Sequence, residues 1–146
     1  MNRLLRVVAV AAVLIVPVVA WAQDQTSKAA AFVRFEEVVR GHLAEMRKRH
    51  DALEVGAEGR SPSERREMER LVNEADREAA RRVAAITIPP ELGEGEGTLA
   101  AMVRSSAAGA IEARSRGKYD LSVEKLNVYM RTVWSANAAY GVRSTR

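Results

Sequence analysis

From Asp24 to Val55 the apolar residues Phe32, Phe35, Val39, Met46 and Leu53 return to one arc of a 3.6-residue period, while Arg34, Glu37, Arg40, Arg47 and Lys48 fall outside it. A helix of that length is about 45 Å long at 1.5 Å per residue. An element so long and so clearly two-faced constrains the rest of the chain to supply surfaces that cover its stripe. Sparse aromatics, abundant alanine and charges of both signs favour helices over a sandwich or barrel for that purpose.

Three further helices are marked by their ends. The break at Gly56-Ala57-Glu58-Gly59-Arg60 is followed by Ser61-Pro62-Ser63-Glu64, in which Ser61 can cap, Pro62 fits a position needing no N–H donor, and Glu64 can reach back to complete a capping box. The second helix then carries the seam Met68, Leu71, Val72, Ala75, Ala79, Val83 and Ile86, and Thr87-Ile88-Pro89-Pro90 ends it. A third helix fits 91–116, either with a frayed first turn or starting near Thr98, because glycines at 93, 95 and 97 each cost roughly 1 kcal/mol in a helix interior. Its later face is small: Ser106, Ala107, Ala110 and Ala113. Gly117 can close it in a left-handed cap, and Asp120 can open a fourth helix whose seam is Val123, Leu126, Met130, Val133, Trp134 and Tyr140, with Asn137 inside it. Helices at about 24–55, 62–87, 91–116 and 120–141 with short connections give an all-α, up-down-up-down four-helix bundle.

The opening MNRLLRVVAVAAVLIVPVVAWA has the three parts of a secretory signal peptide: basic Arg3 and Arg6, an apolar run from Val7 to Ala20, and the small-x-small site Ala20-Trp21-Ala22. The run is short of the roughly 20 apolar residues of a membrane span and contains Pro17. Cleavage after Ala22, leaving one helical-bundle domain at 23–146 in the periplasm or secreted, is the expectation; an uncleaved amino-terminal anchor is the alternative. Of 23 basic side chains Arg3 and Arg6 leave with the leader, so 21 face 19 acids and the case for a nucleic-acid partner is weak. With no cysteine, disulfides, thiolate metal sites and covalent haem attachment are excluded.

Pro89-Pro90-Glu91-Leu92, the alanine-rich run to Gly117-Lys118-Tyr119-Asp120, Leu126-Asn127 and Ala136-Asn137-Ala138-Ala139-Tyr140 together resemble uncharacterised small exported or lipid-anchored bacterial helical proteins, over about residues 85–142. The resemblance implies the fold and carries no activity or site. Gly117 to Ser122 with Leu126 also resembles the helix-turn-helix of a tetratricopeptide repeat, but a solenoid needs about three copies and one is present.

The stretch GHLAEMRKRHDALE holds the only two histidines, His42 and His50, with Met46 midway. On a helix the three lie within or beside the apolar arc, the histidines about 80° apart. They could bind copper through imidazole and thioether, or haem, if a second helix supplied partners such as Met68, Met102 or Met130. The bland alternative makes Met46 core and the histidines boundary residues. The charges of the second helix, Asp76 among them, read as a solvated, self-paired face. Trp134 and Tyr129 flank the fourth seam and could line a groove or pack in the core. No phosphate loop, nucleophile motif or metalloprotease motif is present, so catalysis is not expected and no cofactor is called for. What remains is an exported bundle that acts by binding an unknown protein partner or structurally, with the long first helix offering a route to a homodimer; the metal or haem site at His42, Met46 and His50 is the alternative.

Overall fold

In the computed structural model the backbone is described for residues 2–142 and the side chains for 22–142. Four α-helices follow one another: α1 (Asn2–Gly56), α2 (Pro62–Ala84), α3 (Leu99–Ser115) and α4 (Tyr119–Ala139), with a single 3₁₀ turn at Pro90–Leu92 and no strand among the described residues. The expected cleavage site and apolar leader fall on residues whose side chains lie outside this description. None of the described helices is long and apolar enough to cross a membrane.

Each helix starts and stops for a local reason. At the head of α2 the Ser61 Oγ accepts from the Glu64 N–H at 3.4 Å, and Glu64 Oε2 accepts from the Ser61 N–H at 2.9 Å and from its hydroxyl at 2.7 Å. The expected capping box is therefore present. The helix ends at Ala84 rather than 87, because Ile86 and Ile88 leave the helical path to pack on the core before Pro89-Pro90. The third helix begins at Leu99, not 91. Gly93 and Gly95 adopt φ of 94° and 101°, which only glycine takes readily, and Thr98 then caps by accepting from the Ala101 N–H. Gly117, at φ 69°, closes α3 and reverses the chain into α4.

The result is an up-down-up-down four-helix bundle with α3 at its centre, between α2 and α4. Ile86, past the end of α2, accepts from the Arg104 guanidinium in the first half of α3, so those helices run antiparallel. Tyr140 at the end of α4 stacks on Phe32 in α1, and the Tyr129 hydroxyl reaches Glu36, so α1 and α4 are antiparallel too. The core holds Phe32, Phe35, Val39, Leu43 and Met46 from α1 against Ala79, Ala80 and Val83 of α2 and Val103, Ala107, Ala110 and Ile111 of α3.

The expected seams of α2 and α4 are rotated. In α2, Leu71 and Ala75 face solvent while Asp76 and Ala80 are buried beside Ala79 and Val83. In α4 the buried residues are Ser122, Tyr129, Thr132, Ala136 and Tyr140; Val123, Met130 and Trp134 are exposed, Trp134 to 76 %. Close approach explains the second case. The α3 surface under α4 is alanine, and the Ser122 hydroxyl donates to the Ala110 carbonyl at 2.9 Å. Helices this near one another need small side chains on both sides, so α4 turns Ser122 and Ala136 to α3 and leaves its bulkier stripe beside α1.

Candidate functional site

Where that stripe meets α1 the bundle is open. The groove between α1 and α4 has a volume of about 500 Å³. Its floor is Leu43, Met46, Leu126 and Tyr129, and its mouth is edged by Arg40, Ala44, Arg47 and Asp51 on one side and by Val123 and Met130 on the other. Trp134 lies one turn beyond Met130 on the same edge of α4, uncovered. The arrangement follows from helical phase: on α4, positions 123, 126, 130, 133 and 134 share an arc about 80° away from the arc that packs on α3. That makes the apolar surface of α4 too wide for one neighbour, and α1 covers only part of the remainder.

One polar contact ties the two helices together at the Arg40/Met130 end of the groove. The Tyr129 hydroxyl donates to Glu36 Oε1 at 2.6 Å, and Arg40 stands 3.7 Å from the other carboxylate oxygen. Burial of the phenol, then the hydrogen bond to Glu36 and its negative charge, push Tyr129 well above the ordinary tyrosine range. At the far end Arg114 sits over the Tyr119 ring, 4.3 Å from its centre.

His50 stands beneath the same end. It lies one turn past Met46 and is 8 % exposed. Its Nε2–H donates to Asp76 Oδ2 at 2.7 Å, and Arg49 donates to Asp76 Oδ1 through Nε at 2.8 Å and Nη2 at 2.7 Å. Asp76 is wholly buried, whereas the Arg49 side chain keeps 27 % of its surface in water. A carboxylate so placed needs both partners, and the contact to His50 requires a hydrogen on its Nε2. The reading of Asp76 as part of a solvated face is therefore corrected. Its position was legible: it stands four residues after Val72 and three before Ala79, inside the apolar arc of α2.

The three residues of the sequence-level metal alternative are thus placed differently from one another. Met46 is core, 7 % exposed; His50 is spent on Asp76 through one nitrogen; His42 is half-buried on the side of α1 away from the groove. Among the described residues no group of three or more histidine, aspartate or glutamate side chains is arranged to hold a metal ion. Of Tyr129 and Trp134, only Tyr129 lines the groove; Trp134 is exposed on α4 one turn beyond Met130 and outside the lining. No family model, no curated protein and no solved structure matches the chain.

Proposed function

We propose that this is an exported, non-catalytic bundle of the bacterial envelope that works by binding protein, and that the α1/α4 groove is where it binds. The observation that carries the reading is the apolar floor of Leu43, Met46, Leu126 and Tyr129, bordered by the uncovered Val123 and Met130, with exposed Trp134 one turn further along α4. A cleft between two helices with apolar side chains along its length receives the apolar face of a further helix, with anchors spaced three and four residues apart. A tryptophan left in water at its edge is the kind of side chain that dominates such contacts once covered. Export rests on the leader, and the resemblance to small exported helical proteins is in keeping with it.

The test is a photo-activatable residue placed at 130 or 134, with position 66 on the exposed side of α2 as control. Irradiated cells should yield a protein adduct from the groove positions and none from the control. Absence of any adduct from either groove position sinks the reading. Metal or haem binding through His42, Met46 and His50 would appear instead as stoichiometric metal or a haem spectrum in protein purified without chelator, lost on replacing both histidines by alanine.

A further inference from the structure

The chain has no cysteine, so its oxidisable sulfurs are all methionine thioethers. The structure divides the four beyond the leader into two shielded and two open. Met46 lies in the core at 7 % exposure. A Cβ added at Gly56 would meet the Met68 methyl at 2.8 Å, so that methyl rests directly on the glycine. Met102 and Met130 stand in water, 42 % and 57 % exposed. Of these two only Met130 lines the α1/α4 groove. Helical phase puts it there: it is one turn past Leu126 in the floor and one turn before Trp134, in the middle of the strip that α4 leaves uncovered. Oxidation of a thioether follows its access to solvent, so the most open sulfur of the described chain is also the one at the groove edge.

We infer that Met130 is a reversible oxidation site that turns off binding at the groove; the inference rests on the groove being a protein-binding site. The oxidant is a peroxide. A lone pair of the Met130 sulfur attacks one peroxide oxygen, the O–O bond breaks and an S–O bond forms. The departing hydroxide takes the proton from the transferred oxygen and leaves as water, so the sulfur is oxidised by two electrons and the peroxide is reduced by two. The product is a sulfoxide, polar where the thioether was apolar. Covering it with the apolar face of a partner buries an acceptor with no donor, which opposes association. A sulfoxide reductase returns the thioether and with it the apolar edge. The bundle itself is indifferent to the change, because Met130 faces water, whereas a sulfoxide at Met46 would disrupt the core. Met102 undergoes the same step outside the groove and serves as the internal control.

Peptide mass spectrometry of the protein treated with hydrogen peroxide tests the chemistry. Met130 and Met102 should convert first, and Met46 and Met68 roughly tenfold or more slowly, with an unchanged helical circular-dichroism spectrum. A methionine sulfoxide reductase should then return Met130 to the thioether. Binding is read with the photo-activatable residue at 134. Peroxide given to the cells before irradiation should lower the adduct yield roughly tenfold, as an unpaired buried acceptor would. Met130→Leu has no sulfur at the groove edge, so its yield, whatever its starting value, should be the same with and without peroxide. Met102→Leu should remain peroxide-sensitive. The inference is overturned if Met46 converts as fast as Met130, if adducts persist once Met130 is converted, or if Met130→Leu is as sensitive as wild type. No adducts from untreated cells would remove the groove reading and this inference with it, whereas adducts indifferent to peroxide remove the inference alone.

Discussion

Asp76 shows how one side chain couples three helical positions. Its carboxylate has no access to water, and the charge is held by Arg49 and His50 from α1. Replacing it by alanine leaves the Arg49 and His50 donors without their acceptor, which should cost about 3 kcal/mol in urea unfolding, reduced from a fully buried pair because Arg49 can turn to solvent. A loss well under about 1 kcal/mol would mean the cluster adds little beyond packing. Tyr129 makes a second residue-scale case with a pH signature. Its folded-state pKa is raised, by burial first and by Glu36 next, so the phenol's contribution is complete below its unfolded pKa and is lost as pH rises through and above that value. Wild type should lose stability above about pH 10 faster than Tyr129→Phe, the difference vanishing at neutral pH apart from a constant cost of about 1.5 kcal/mol for the hydrogen bond. Parallel alkaline profiles for the two proteins would refute this.

At the scale of the element, the start of α2 is self-contained. The hydrogen bonds from the Ser61 hydroxyl and backbone, in that order, hold the Glu64 carboxyl below its usual range. A lowered carboxylate pKa stabilises above the unfolded value and ceases to do so as pH falls through the folded one. Glu64→Gln should therefore be less stable than wild type at neutral pH and match it in acid, which thermal unfolding at the two pH values would show. The α3/α4 pair behaves differently, because its fit depends on backbone proximity. Ser122→Leu should force these helices apart at Ala110 and cost about 1–3 kcal/mol by overpacking, whereas Val123→Leu, one residue along and in solvent, should be nearly neutral. Equal effects at both positions would place the close approach elsewhere.

For the whole molecule, an exposed apolar strip beside an open groove should give stability and the proposed binding different responses. Trp134 contributes little to the isolated bundle, so Trp134→Glu should leave its unfolding midpoint within about 0.5 kcal/mol of wild type while removing groove adducts. At the other end of the chain, the proposed export predicts Gln23 as the first residue in mass spectrometry of protein recovered from cells; an intact Met1 would favour an anchored form.

Much of this is legible in the sequence. The 3.6-residue period in 24–55, the Ser61-Pro62-Ser63-Glu64 start and the Gly117 reversal are local effects, decided by side-chain spacing, hydrogen-bond reach and backbone freedom within a few residues, and together they determined four helices in an antiparallel order. The face each helix buries was not determined locally. Val123, Met130 and Trp134 form as good a seam by period as Ser122, Tyr129 and Ala136, and only the alanine surface of α3, which admits a near backbone and no bulk, decided between them. Asp76 was likewise undecided until α1 brought Arg49 and His50 to it, since a carboxylate is stable in a core only where partners from another element arrive. The groove itself is a consequence of both choices: the tertiary packing spent the small face of α4 on α3 and left its apolar one at the surface.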